Sequence, residues 1–228
     1  MADLPRCRRA TWADVEGWAD RIADRVRAAG PPPETIVALT RGGWVPGRLL
    51  CDRLGVRRLV SLRAQHWGVT ATRTGAAELT EGLSGPVADL RVLVVDDITD
   101  TGESLALAVD HVRAAGASSV ESATLLHIAG ARLVPTYFAE EIARAEWAWI
   151  VFPWNYWEDL VALAGRAASM GAGIDAVRRT LRDRCGLTVP RADLARVVGW
   201  GVRLVPPAEA ATPSSGPRGR RQRARRVP

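Results

Sequence analysis

The segment that most limits what this chain can fold into is Val-Leu-Val-Val-Asp-Asp-Ile-Thr-Asp-Thr-Gly-Glu-Ser, residues 92–104. Its first four residues are apolar and mostly β-branched, the mark of a strand buried on both faces. The apolar run stops at two adjacent carboxylates, Asp96 and Asp97, and Asp100, Thr101, Gly102 and Ser104 follow. Leu105, Val109 and Val112 then fall on one face of a predicted helix that Gly116 closes. The segment reads as strand, acidic loop and helix N-terminus.

That arrangement suits a sugar phosphate. Thr101, Gly102, Glu103 and Ser104 lie where a helix presents unpaired N–H groups, which bind phosphate. Gly102 lets the backbone come close without a Cβ in the way. Three acids beside a phosphate would repel it unless they have other work: two could hold sugar hydroxyls and a divalent cation, and one could take a proton.

The length, 228 residues, suffices for one α/β domain with an appendage. The formal charge of +6 is local: residues 218–228 carry Arg218, Arg220, Arg221, Arg223, Arg225 and Arg226 and no acid, so the rest of the chain is close to neutral. Every basic residue is an arginine; the chain has no lysine. Cys7, Cys51 and Cys185 are scattered without metal-site spacing and read as free thiols of a reducing compartment. The polar, basic start of the chain does not resemble a signal peptide, and no apolar run approaches membrane-spanning length, so a cytoplasmic protein without a membrane partner is expected.

Strands and helices alternate along most of the chain, which predicts a parallel α/β sheet. Thr11 and Asp14 mark a helix start, and Val15, Trp18, Ile22 and Val26 give a packing helix over 11–29. Residues 35–40 predict a buried strand that runs into Arg41, Gly42 and Gly43 and then a helix closed by Gly55. A double glycine there allows close backbone approach to an anion, and it equally suits an ordinary turn. Residues 58–63 predict the next strand, and residues 64 to about 90 a long loop. Residues 119–128 form another predicted strand, followed by a turn and an aromatic stretch from Glu146 to Asn155. Such a stretch is either a packed edge of the core or a hood that stacks a base. Residues 157–205 predict about three short amphipathic helices, a packing or dimer extension or a helix-turn-helix. Residues 206–228 have the composition of a disordered tail, one that would attract nucleic acid only non-specifically.

Three of these stretches, in this order, resemble motifs of the type I phosphoribosyltransferases. Residues 92–104 resemble the signature that binds 5-phosphoribosyl 1-pyrophosphate (PRPP), and the Asp just before Thr-Gly resembles the branch acting on 6-oxopurines. Residues 38–47, Ala-Leu-Thr-Arg-Gly-Gly-Trp-Val-Pro-Gly, are similar to the pyrophosphate loop of xanthine-guanine phosphoribosyltransferases, where the entering peptide is often cis; here that is Thr40–Arg41. Residues 149–155, Trp-Ile-Val-Phe-Pro-Trp-Asn, are similar to that family's base-stacking run.

The resemblance implies a type I phosphoribosyltransferase fold over residues 1–156: a central, mostly parallel sheet flanked by helices, with a small aromatic hood. It implies a pentosyltransferase of purine salvage, moving the 5-phosphoribosyl group from PRPP to a 6-oxopurine with Mg²⁺. Asp100 would be the catalytic acid-base group. Asp96, Asp97, Thr99, Thr101, Gly102, Glu103 and Ser104 would bind PRPP, and Asp96 and Asp97 the metal. Thr40, Arg41, Gly42 and Gly43 would take the pyrophosphate. Trp149 would stack the base, and the backbones of Ile150 and Val151, with His127, would read it. A homodimer is expected. The family's mobile lid falls in 64–90 without its Ser-Tyr pair; His66, Trp67, Thr72, Arg73 and Thr74 stand there, Arg73 as a phosphate contact. Two further departures concern the site itself. Asn155 stands where the family has a metal-associated Asp, and His127 or Ile128 where it has the lysine that donates to the base. A PRPP-sensing regulator that binds nucleic acid, or a transferase for an unusual base, are the alternatives.

Overall fold

The computed structural model describes residues 4–65, 78–170 and 173–202. Helix α1 (Trp12–Ala29) starts at a reciprocal cap. Thr11 Oγ1 accepts from Asp14 N at 3.1 Å, and Asp14 Oδ2 accepts from Thr11 N at 2.8 Å. Such caps contribute about 1 kcal/mol. Val15, Trp18, Ile22 and Val26 are buried along one face of the helix.

The main sheet contains β2 (Thr35–Thr40), β3 (Leu59–Gln65), β4 (Glu78–Glu81), β5 (Arg91–Thr99), β6 (Ser119–Ile128) and β7 (Tyr137–Ile142). Their spatial order is β4-β3-β2-β5-β6-β7, parallel except for the antiparallel edge strand β4. Helix α2 (Trp44–Leu54) returns the chain from β2 to β3, and α3 (Glu103–Ala114) from β5 to β6. Alternation along β5 serves both faces. Leu93 and Val95 join the core under α1 and α2, while Val92 and Val94 join the core under α3.

The two crossovers run in opposite directions from the middle of the sheet. Between β2 and β5 lies the topological switch point, where open α/β sheets leave a crevice at the carboxyl ends of the strands. The β2–β5 pairing ends at Ala38↔Val95, so the loops after these strands diverge there.

A second, two-stranded sheet pairs β1 (Cys7–Arg9) with β8 (Trp149–Val151) in parallel. Ile150 packs into the core under α1, while Val151 and Trp149 face a third core formed by α4 (Tyr156–Ala168), α5 (Ile174–Thr180) with a π-helical turn (Leu181–Cys185), and α6 (Arg191–Gly199). Leu4 and Cys7 also pack on this third core, so both ends of the described chain meet there. No helix among the described residues is long and apolar enough to cross a membrane.

Two expectations are corrected, and one element is added. Strand β5 does not stop at Asp96 but continues to Thr99, because its ladder with β6 holds as far as Thr99↔His127. The stretch 64–90 is not one loop: β4 pairs with the end of β3, and Leu79 packs on the α3-side core. With one apolar residue in Glu-Leu-Thr-Glu, an edge strand leaves almost no periodic signal. The polar, basic start of the chain, for which the sequence reading gave no element, supplies β1.

Candidate active site at the switch point

The loop after β2 enters the crevice through a cis peptide between Thr40 and Arg41. Its two glycines are required by close packing. A Cβ on Gly42 would collide with the Asp97 carboxylate, and one on Gly43 with the carbonyl oxygens of Val95 and Leu39. The loop therefore lies directly on the end of β5. Thr40 Oγ1 donates to Leu62 O at 3.3 Å. The Arg41 guanidinium is exposed and reaches both Glu158 oxygens, at 2.8 and 2.7 Å. Glu158 belongs to the first turn of α4, so the helical extension touches this loop.

Asp97 is buried beneath Gly42, with the Trp154 indole close enough to favour its ionised form. Asp96 keeps part of its surface accessible, and its Oδ1 accepts from Asp97 N at 3.0 Å. Burial, and for Asp96 the neighbouring Asp97 charge, push both carboxyls above the usual carboxylate range. A cation at this strand end would relieve that cost. Among the described residues no group of three or more His, Cys, Asp and Glu is arranged to hold a metal. One or two carboxylates with substrate oxygens and water are nevertheless the usual protein contribution to Mg²⁺, and Asp96, beside Asp97, fits that donor set.

Asp100 follows the strand and is part-exposed, its side chain 32 % accessible. Arg144 Nη1 donates to its Oδ1 at 2.5 Å, Arg144 Nη2 to its backbone O at 2.7 Å, and Trp147 Nε1 to its Oδ2 at 3.3 Å. Gly102, with φ +81°, turns the chain into α3, and a Cβ there would meet Leu133 N at 2.6 Å. The backbone of Thr101 is tied to the same turn, its O accepting from Arg132 N at 2.7 Å. The N-terminus of α3, Glu103 and Ser104 onward, thus follows Asp100 and this turn directly, and first-turn amides of a helix lack intrahelical partners. Thr99 points the other way: it is buried and its Oγ1 donates to Thr124 Oγ1 at 3.0 Å.

The structure distributes the aromatic residues differently from the sequence reading. Trp149 packs against the third core beside Asp159, away from the face that carries Ile150. Trp149 N and Val151 O are used by the β1 connection, bonding Arg6 O at 2.8 Å and Ala10 N at 3.0 Å. His127 is buried against Phe138, with ring centroids 5.0 Å apart, and its Nδ1 has no partner among the described residues. Burial holds its pKa below the usual histidine value. The ring that reaches Asp100 is Trp147, and Trp154 stacks on Phe152 at 4.7 Å. Sequence reasoning missed Arg144, Trp147, Trp154 and Glu158. Both tryptophans lie in the aromatic stretch, but a single 3-10 turn at Arg144–Glu146 has no periodicity to read. His66, Trp67, Thr72, Arg73 and Thr74 lie outside the described residues, as does the 206–228 tail.

The family model of the phosphoribosyl transferase domain matches residues 9–159. The fold is similar to a purine phosphoribosyltransferase of Pyrococcus horikoshii, at TM-score 0.56 and 28% identity over 65% of this chain and 93% of that one. It is also similar to the xanthine-guanine-hypoxanthine phosphoribosyltransferase of Helicobacter pylori, at TM-score 0.53 and 19% identity over 69% of this chain and 99% of that one. A hypothetical protein of Neisseria gonorrhoeae with bound ppGpp matches at TM-score 0.56 and 18% identity, over 67% of this chain and 90% of that one.

Proposed function

Because this chain belongs to the phosphoribosyl transferase domain family, we propose that it transfers the 5-phosphoribosyl group from PRPP to a purine base, giving the nucleoside monophosphate and pyrophosphate. The observation that carries the reading is the meeting, at the switch point, of the part-exposed Asp100 carboxylate with the N-terminus of α3. The 28% identical purine phosphoribosyltransferase supports the choice of base.

In this reading a purine imidazole nitrogen attacks C1′ of PRPP. The N–C1′ bond forms as the bond from C1′ to the pyrophosphate oxygen breaks, and that electron pair leaves with pyrophosphate. The proton on the other imidazole nitrogen passes to, or is held by, Asp100, a carboxylate that Arg144 and Trp147 hold in place. Its position at the end of a rigid strand keeps it oriented through the step. The backbone of Thr101, Gly102, Glu103 and Ser104 cradles the 5′-phosphate, as helix N-termini do for anions. Arg41 and the Gly42–Gly43 backbone receive the pyrophosphate; to reach it, Arg41 exchanges Glu158 for phosphate oxygens. Asp96, with Asp97 beneath it, faces the ribose hydroxyls and would hold Mg²⁺, which supplies charge neutralisation for the leaving group when bound. Thr99 acts as a strut for the loop, through Thr124. The base would lie beside Trp147, the ring whose indole meets Asp100.

The test is pyrophosphate release from PRPP and Mg²⁺ with hypoxanthine, guanine, xanthine, adenine or uracil offered one at a time. Turnover with at least one purine and none with uracil is expected. Silence with every purine, while PRPP still binds, overturns the assignment.

A further inference from the structure

We infer that Cys7 and Cys185 form a reversible oxidation site, at which hydrogen peroxide joins the two thiols as a disulfide and ties the start of the chain to its helical extension. The inference is independent of the transferase reading proposed above.

The two residues stand near opposite ends of the described chain, and the fold brings them together. Cys7 opens β1, whose pairing with β8 sets it opposite Trp149. Cys185 closes the π-helical turn after α5. Both pack in the third core, Cys185 fully buried and Cys7 at its part-exposed edge. Their backbones meet as well: a Cβ on Gly186 would stand 3.8 Å from the Cys7 carbonyl oxygen. The Cys7 thiol has two groups within hydrogen-bonding reach, Pro5 O at 3.5 Å and the Cys185 sulfur. Among the described residues no third His, Cys, Asp or Glu is placed to complete a metal site with them.

The surroundings make the two thiols unequal. The Cys7 thiol, as a hydrogen-bonding neighbour, lowers Cys185 from the ordinary thiol value against the effect of burial. The same contact raises Cys7, with burial and the Asp159 charge adding to it. The thiolate is the nucleophile in peroxide chemistry, so Cys185 attacks and Cys7 resolves. The part-exposed edge at Cys7 is the side from which a molecule as small as peroxide reaches the pair. Cys185 sulfur bonds to one peroxide oxygen, the O–O bond breaks, and the other oxygen leaves with a proton as water. Cys7 sulfur then attacks the sulfenic acid on Cys185. The S–S bond forms, the S–O bond breaks, and a second water leaves with the Cys7 proton. Two thiols and one peroxide give one disulfide and two waters, with two electrons passing from sulfur to oxygen.

Cys51 is the internal control. It packs in a different core, under α1, where burial chiefly raises its thiol. A bond between residues 7 and 185 closes a loop around most of the described chain, and cross-links of long loops remove the most conformations from the unfolded state. Stability is therefore where the bond should be felt first.

The experiment treats the reduced full-length chain with hydrogen peroxide. Thiols counted in denaturant should fall from three to one. A peptide map without reduction should join the Cys7 peptide to the Cys185 peptide of the same chain. The melting temperature should rise by about 5 °C or more, and dithiothreitol should reverse all three changes. Cys51→Ser should keep the rise, and Cys7→Ser and Cys185→Ser should lose it. If the buried Cys185→Ser does not fold, the part-exposed Cys7→Ser decides alone. Three thiols surviving peroxide, a link that involves Cys51 or joins two chains, a link without a rise in melting temperature, or a full rise in Cys7→Ser each overturns the inference.

Discussion

Two carboxylates, Asp100 at the end of β5 and Asp159 in the first turn of α4, are handled in opposite ways. Asp100 is part-exposed and both its oxygens meet donors, the Arg144 guanidinium and the Trp147 indole. Asp159 is buried, and its Oδ2 has no partner among the described residues. The Trp149 indole is near enough to favour the ionised form, but burial outweighs it and pushes the Asp159 carboxyl up to about 6, with the Glu158 and Asp97 charges adding to the rise. A carboxylate that is dry and half-partnered destabilises the fold whenever it ionises. The contrast separates a site at the switch point from a structural joint between that site and the helical extension.

The largest effect should come from the switch point. Asp100→Asn removes the proton acceptor and leaves the backbone cradle for phosphate intact. Turnover should fall about 10²- to 10⁴-fold while the Kd of PRPP changes little. Steady-state kinetics with an independent PRPP titration decides this, and equal losses in both would remove Asp100 from the chemistry.

The next effect tests whether the extension is part of the same folding unit. Leu163 is fully buried in the third core. Leu163→Ala should cost about 2–5 kcal/mol. Urea unfolding followed by two probes should show one cooperative transition shifted to lower denaturant. Two separate transitions, with only one shifted, would make the extension a unit of its own.

Asp159→Asn should act in the other direction, and only at the right pH. Below about pH 4 the carboxyl is protonated in both folded and unfolded chains, and the variant gains nothing. Between about 4 and 6 the unfolded chain gives up the proton that the folded chain still holds, so wild-type stability falls as pH rises. Above about 6 the penalty is complete. The variant should then be more stable by up to about 3 kcal/mol at pH 8, less whatever solvent screening and the buried amide take back. Thermal melts at pH 4, 6 and 8 measure it; a gain that is the same at all three would mean that ionisation of Asp159 is not the cause.

The smallest effect belongs to the contact between the two regions. Arg41 and Glu158 are 72 and 54 % exposed, so their pair at 2.7 Å is heavily screened. Glu158→Gln should change stability by less than about 1 kcal/mol, with the difference vanishing in 1 M salt. A larger, salt-resistant loss would mean that the extension braces the pyrophosphate loop.

Local pattern carried much of this. The β-branched run of β5, the capped helix α1 and the apolar strand β6 were legible because each is long and periodic. The cis peptide at Thr40–Arg41 was legible only through resemblance, since no spacing encodes it. What stayed hidden were pairings between distant segments. β1 joins β8 across the chain, and Arg144 and Trp147 reach Asp100 from more than forty positions away. The double glycine of the β2 loop suits an anion cradle and an ordinary turn alike, and only the structure shows that Gly42 lies against the protein's own Asp97.

The sequence by itself determined the α/β class, the order of the elements and the acidic loop at a helix N-terminus, because hydrophobic period, glycine and capping residues act over a few residues at a time. Tertiary structure alone decided which tryptophan meets Asp100, that His127 turns away from the site and Arg144 toward it, and that the helical extension shares a core with the start of the chain. Those outcomes depend on which surfaces pack together, and side-chain direction in a packed core follows from neighbours that sequence distance does not reveal.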